Sequence, residues 1–375
     1  DRWLRGVDNG VDREPMLRAW MQENVSPRTR CDVRPGRWVA ERSWPSPRLV
    51  ARRIPLSDWW GDTPRRHRAP QTVGRAAGGW CGFGLEGDSP GDQQVDDQVS
   101  LVCESPPLAE RLEILGTPEL ELSLSLDRPE GFVAARLSDV APTGEATRVT
   151  YGLLDLTHRH GHERPEPLEP GEPVQVRLRL CDAGHAFPPG HRLRLALSTT
   201  YWPVVWPSAE AATLTLFPGD STLSLPLRPS RPEDADLPPF EEPVGAPPPE
   251  HTDIHPGGVE RWEERDDEGR VVETLVLDLE PDGRPSLTRM DDIALTTGHG
   301  VRERFSIHPD DPLSALAQVL QRGYVERDGW SARIEVESEL SATADVFRLE
   351  ARLCAWEGEE RVFERRWVRR IPRSR

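Results

Sequence analysis

The residues able to do chemistry fall into a few small groups. Gly87-Asp88-Ser89-Pro90-Gly91 matches G-x-S-x-G, the spacing that lifts a serine nucleophile onto a strand-to-helix elbow. That chemistry needs the N–H of the next residue to hold an oxyanion, and Pro90 has none. Glu86, Asp88 and Asp92 add negative charge that opposes both an alkoxide and an oxyanion. Ser89 therefore reads as part of an acidic surface loop. Residues 157–163 spell THRHGHE, and on a strand His158, His160 and His162 would share one face and hold zinc with one position open. Gly161 and Arg159 interrupt the run, turn-rich RPEPLEPGEP follows, and no carboxylate is placed to orient a ligand. A solvated hairpin end is the expectation there. His251, Asp253 and His255 lie in a Pro-rich stretch that gives ligands no fixed geometry. No metal and no cofactor are expected.

Cys81 sits in Gly78-Gly79-Trp80-Cys81-Gly82-Phe83-Gly84, whose glycines allow close approach to another surface. Nothing beside it in sequence activates a thiol. Trp80 and Phe83 are the better candidates, as side chains lining a substrate pocket formed with a neighbouring domain. The 13 Trp, including Trp59-Trp60 and the pair Trp202 and Trp206, invite a sugar-stacking reading. Tyr201, Val204 and Val205 instead give the YWPVVWP stretch the character of a core or domain seam.

The elements that must position these groups are mainly strands. Period-two alternation runs through 120–126 (LELSLSL) and 174–180 (VQVRLRL), and further strands are expected at 132–137, 192–198, 212–217 and 222–227. Many short strands with almost no helix predict a β-sandwich of the jelly-roll type over 53–230. Residues 1–14 read as the end of a helix and 15–22 as a strand, which is α/β material, and 32–53 as a connector without sustained period. The acidic, Pro-dense stretch 231–258 reads as a linker. Beyond it, 270–279, 330–340, 346–356 and 361–371 alternate again, predicting a small antiparallel domain over 259–375, with 313–320 fitting either a helix or a strand.

Composition bounds the function. The 375 residues suggest two or three domains. A net charge of -17, with every basic residue an arginine and no basic stripe, argues against nucleic acid as a partner. There is no apolar run of the length that spans a bilayer, so no membrane partner is expected. Five cysteines, odd in number and without a C-x-x-C pair, predict neither a disulfide framework nor a zinc site and point to a reducing, cytoplasmic setting. Asp1 falls inside a helical pattern (Trp3, Leu4, Val7), so the chain reads as cut from something longer.

Several segments together resemble a known family: DRWLRGVDNG at 1–10, GRWVAERSWP at 36–45, the S-P-P-L-x-E-x-L-E-I-x-G run at 105–116, ARLSDVAPTGEATRVTYGLL at 135–154 and the F-x-x-G-H-R-L-R run at 187–194. They resemble the C-terminal half of the cocaine-esterase and X-prolyl dipeptidyl-peptidase family of serine hydrolases. The resemblance implies that 1–52 is the tail of an α/β-hydrolase domain with its connector, and that 53–230 is the jelly roll that packs on that domain. It also implies that the family's serine, acid and histidine precede residue 1, so no catalytic residue is expected here. The chain's partners would then be the upstream hydrolase domain and a small ester, amide or peptide substrate. Two rivals stand beside this reading: a free carbohydrate-binding module with a row of exposed indoles, and an assembly domain that forms a homo-oligomer.

Overall fold

One side chain in two finds a core along Val174–Arg179, where Val176 and Leu178 are buried while Gln175, Arg177 and Arg179 face solvent. The computed structural model describes every residue except Asp1, Trp80, Cys81, Phe83, Glu241, Pro243, Val244, Ser374 and Arg375. After a short helix α1 (Arg2–Arg5), the first part of the chain forms β1 (Leu17–Glu23), β2 (Gly36–Glu41), β3 (Val50–Pro55), α2 (Ser57–Trp60), β4 (Arg65–His67), α3 (Gln94–Asp97), β5 (Leu101–Glu104), β6 (Leu112–Gly116) and β7 (Glu119–Leu126). There follow β8 (Phe132–Val140), β9 (Ala146–Asp155), β10 (Val174–Arg179), β11 (Ala183–Phe187), β12 (Arg192–Ser198), β13 (Leu214–Leu216) and β14 (Thr222–Leu227).

These strands form two facing sheets. One runs β2-β1-β11-β6-β14-β7-β13-β4, with β10 joined to β7 and β3 to β14; the other runs β5-β12-β8-β9. Leu120, Leu122, Leu124 and Leu126 of β7 meet Val133, Ala135 and Leu137 of β8 and Leu193, Leu195 and Leu197 of β12 in the core between them. This is the β-sandwich that the alternation predicts. Strand β8 is buried along its whole length, because Ala69, Val73, Ala77 and Tyr201 cover its outer face over Phe132 and Ala134.

The stretch 1–52 departs from its expectation. Strand β1 pairs antiparallel with β2 and, over Gln22↔His185 and Glu23↔Ala186, parallel with β11. Met21 and Val39 are buried with Leu115 and Ala186, and β3 pairs with β14 along its full length. The strand expected at 15–22 is β1, and the supposed connector adds two more strands, β2 and β3, to the sandwich. Its short runs, broken by Pro and Arg, hide the alternation that backbone pairing then supplies.

The Pro-rich stretch is less free than a linker. Arg228 holds Asp234 at 2.7 Å, Phe240 packs edge-on to Trp38 with the Arg18 guanidinium over it, and 251–255 is a strand. The second sheet system comprises β15 (His251–His255), β16 (Val259–Arg265), β17 (Val271–Leu277), β18 (Ser286–Met290), β19 (Leu295–His308), β20 (Asp311–Arg327), β21 (Trp330–Ala342), β22 (Val346–Glu357) and β23 (Glu360–Pro372). Residues 313–320 are strand, inside β20. The order is β15-β18-β19-β20-β21-β22-β23, with β17 and then β16 beside the second half of β19. The sheet curls until Trp262 of β16 and Arg366 of β23 line one trough of 800 Å³. Strand β23 ends the sheet, and almost all of its residues are exposed. At the seam with the sandwich, Trp202 is buried with Ile307 and Ala315 and lies edge-on to Phe305.

Candidate functional site

The outer layer over β8 is the part of the molecule that carries the candidate loop. Its anchor is Asp96 in α3, fully buried. Asp96 Oδ1 accepts the N–H groups of Gly74 at 3.0 Å and Arg75 at 3.2 Å, and Oδ2 accepts that of Ala76 at 3.1 Å. Arg136, which rises from β8 into this layer, sets Nη1 3.1 Å from Asp96 Oδ2 and Nη2 2.8 Å from Asp97 Oδ1. Arg194 of β12 reaches the other Asp97 oxygen at 2.9 Å. Burial raises the Asp97 pKa against the pull of Arg136 and Arg194. Gln93 Nε2 donates to the Ala76 carbonyl at 2.8 Å. The turn is thus satisfied by the side chains of Asp96 and Gln93, and Arg136 balances the charge of the carboxylates.

From this platform the chain leads into the glycine-rich loop. Gly79 N–H donates to the Asp88 carbonyl at 3.0 Å, and the Asp88 carboxylate accepts the Leu85 N–H at 2.9 Å, which closes the loop on itself. Gly78 has φ +72°, and a Cβ there would lie 2.5 Å from the Asp88 carbonyl oxygen, so this position requires glycine. Beside the platform lies an open cleft of 680 Å³ lined by Pro70, Thr72, Arg75, Gln94, Gln98 and Arg265, among others. Trp80, Phe83 and Cys81, the sequence candidates, lie outside the described residues. What the described residues supply is shape: a short turn presented on a buried, hydrogen-bonded base.

The other candidates resolve plainly. Ser89 stands in a bend, no strand among the described residues leads into it, and its N–H donates to the Thr29 carbonyl at 2.9 Å. His158 closes a 3₁₀ turn, not a strand, and its Nδ1 lies 3.0 Å from His162 Nδ1. His251 approaches the Pro249 carbonyl, Asp253 accepts from Thr288, and His255 lies 3.9 Å from Glu280, so each has a different neighbour. Among the described residues no three ligating side chains converge on a metal position. Trp60 donates its indole N–H to the Val102 carbonyl at 2.8 Å and packs with Trp59 on the core. Trp202 and Trp206 fill the seam. None of these four indoles forms an open sugar platform. No helix among the described residues is long and apolar enough to cross a membrane.

Sequence reasoning missed the buried ionic joints. Asp139 of β8, fully buried, accepts from His185 of β11 at 2.8 Å through one oxygen and from His191 at 2.8 Å through the other, tying the two sheets together. His185 is 2% exposed and packs edge-on to Phe187, so this pair is closed to substrate. Glu41 of β2 binds Arg48 and Arg228, and both of those arginines also reach the Ala40 carbonyl. The prior signal was the quoted segments themselves, which contain His191, Asp139 and Glu41 without showing that they meet. That run and S-P-P-L prove to be partners: Ser105 exchanges two hydrogen bonds with Leu193, and Leu108 N–H donates to the His191 carbonyl.

Comparison with known proteins follows the same segment. Residues 9–232 match the family model described as the X-Pro dipeptidyl-peptidase C-terminal non-catalytic domain. A Mycobacterium bovis protein named as a serine esterase is 26% identical over 253 residues, covering 58% of this chain and 36% of its own length. The cocaine esterase of a Rhodococcus species is 28% identical over 128 residues, or 34% of this chain and 22% of that protein. A CocE/NonD family hydrolase from Staphylococcus aureus aligns in structure with a TM-score of 0.46 and 14% identity, over 60% of this chain and 44% of that one. The chain spans about a third or less of the length of these curated relatives. Since the family match takes in more than half of its residues, the chain belongs to the X-Pro dipeptidyl-peptidase C-terminal non-catalytic domain family.

Proposed function

We propose that this chain is the non-catalytic C-terminal portion of a serine hydrolase, and that its sandwich packs on an upstream α/β-hydrolase domain of the same polypeptide. In that arrangement the helix α1 is the trailing end of the hydrolase domain, and β1 is where the sandwich begins. The parent reaction is acyl transfer to water: serine attacks an ester, amide or X-Pro peptide carbonyl, a histidine moves the proton, and an oxyanion hole holds the tetrahedral charge. All of those groups belong to the upstream domain, and the present chain contributes no catalytic residue. Its contribution is one wall of the substrate cleft, with Trp80 and Phe83 offering apolar surface to the acyl or side-chain portion of a small substrate.

The observation that carries the reading is the platform. A buried aspartate, itself paired with an arginine, spends three hydrogen bonds on holding a turn that has no catalytic group on it, which makes sense if the turn's position against another surface matters. Free thiols at Cys31, Cys103, Cys181 and Cys354 favour a reducing, cytoplasmic setting.

Two measurements test this. The gene is read in frame upstream of the Asp1 codon; a G-x-S-x-G between strand and helix, followed by an Asp and a His, is expected. A start codon directly upstream overturns the hydrolase reading. In the full-length protein, Trp80→Ala is expected to change the ratio of kcat/KM between a bulky and a small acyl substrate by about tenfold, the scale of one large apolar contact in a pocket. An unchanged ratio overturns the cleft-wall role while leaving the family assignment intact.

A further inference from the structure

We infer that the nine-stranded sheet braces the glycine-rich loop of the sandwich, with Arg261 and Glu263 of β16 acting as positioning residues that clamp its two ends. Glu263 and Arg261 are two residues apart on one strand, so their side chains leave the same face. The Glu263 carboxylate holds the Arg75 guanidinium, with Arg75 Nε 2.7 Å from Oε2 and Nη2 on the other oxygen, a two-point grip. Arg261 donates through Nη1 to the Gly87 carbonyl. Arg75 enters the loop and Gly87 leaves it. One strand therefore fixes both feet of the segment between them.

The clamp is itself held. Arg261 Nε stands 3.0 Å from Glu273 Oε1 on the neighbouring strand β17, and burial raises the pKa of Glu273 and of Glu303 beside the same arginine. Gly87 has φ +84°, and a Cβ added to it would meet Arg261 Cδ at 2.6 Å, so glycine is required both for the backbone turn and for the arginine's approach. The same sheet also accepts the Gln71 N–H on its Pro309 carbonyl at 2.8 Å, at the start of the platform. Residues 259–375 thereby hold Arg75 and Gly87, the two feet of the loop. The brace rests on the cleft-wall reading for its consequence in catalysis, but not for its geometry.

The test uses limited chymotrypsin digestion of the 375-residue chain under native conditions, reading cleavage between residues 80 and 85. Arg261→Gln and Glu263→Gln are each expected to speed nicking there by about tenfold or more, and the charge-swapped pair Arg75→Glu with Glu263→Arg is expected to restore most of the protection. Arg322→Gln, which loosens the same sheet at Glu335 and Gly283 far from the loop, is the control and is expected to leave nicking at the parent rate. Nicking unchanged in both single variants, or equally fast in the control, overturns the brace. The two readings fail separately. A Trp80→Ala full-length enzyme with unaltered selectivity sinks the cleft wall and leaves the brace standing, whereas unaltered nicking in both Arg261→Gln and Glu263→Gln does the reverse. If both hold, Arg261→Gln in the full-length enzyme raises KM for the bulky substrate severalfold with little change in kcat.

Discussion

Replacing Asp96 by Asn tests the platform at its centre. The substitution keeps the shape and removes the charge. The remaining amide oxygen can serve Gly74 and Arg75, which lie 3.0 and 3.2 Å from Oδ1. In place of Oδ2 stands an NH₂ group that faces two donors, the Ala76 N–H at 3.1 Å and Arg136 Nη1 at 3.1 Å. Hydrogen bonds to a buried charge are worth about 1.5–3 kcal/mol each, and breaking one side of a buried ion pair costs about 3–5 kcal/mol. Arg136 keeps Asp97 at 2.8 Å, which limits the loss to the low end of that range. We expect about 3 kcal/mol, a large part of the roughly 5–15 kcal/mol that holds a domain together. Urea unfolding followed by tryptophan fluorescence reads the global loss, and hydrogen exchange of the Gly74, Arg75 and Ala76 amides reads the local one. A loss below about 1 kcal/mol, or undiminished protection of those three amides, would refute the reasoning.

Two further outcomes follow from other joints. Burial pushes the Glu41 carboxyl up, but Arg48, Ser46 and Arg228 outweigh it and hold its pKa at about 2, against an ordinary 4.5. Because the folded-state value is the lower one, its stabilisation is complete above pH 4.5 and is lost as pH falls towards 2; the shift corresponds to about 3 kcal/mol. Glu41→Gln should therefore lower stability at pH 7 and converge with the parent chain near pH 2, and parallel acid-unfolding curves would count against this. Trp202→Ala removes the indole packed against Ile307 and Phe305 and should cost about 3–5 kcal/mol at the seam. It should also expose 229–258 to proteolysis, a result read by gel under native conditions.

Legibility from sequence tracks how many faces of an element are covered. Strand β10 shows its period because one face is wet, and Leu120, Leu122 and Leu124 of β7 point to the core just as their spacing says. Strand β8 carries little period because the platform buries its second face, so Arg136 in its midst gave no hint of the acids waiting for it. Asp96 and Asp97 sit in an acidic run and look like solvated charge, yet both are buried; only the arrival of Arg136 and Arg194 from distant strands explains them. The same holds for Asp139 with its two histidines. Strands β2 and β3 were hidden for the opposite reason: β3 exposes almost every residue, so its pairing is made almost wholly by backbone. The curl of the second sheet has no local signature, since alternation specifies a strand and not its curvature.

The last strand of that sheet has a bearing on how the molecule meets its own kind. β23 offers an open edge, the usual template for chain-to-chain pairing, and Arg361, Arg365, Arg366, Arg369 and Arg370 are strung along it. A second copy that pairs its own β23 with this one brings its row of guanidinium groups against these, relieved only by Glu360 and Glu364, at strand spacing of about 5 Å. That repulsion reaches over about 8–10 Å at physiological ionic strength and shrinks to about 3 Å in molar salt. The barrier between solitary chains and stacked ones is thus an electrostatic one, written in five arginines on a protein whose total charge is -17.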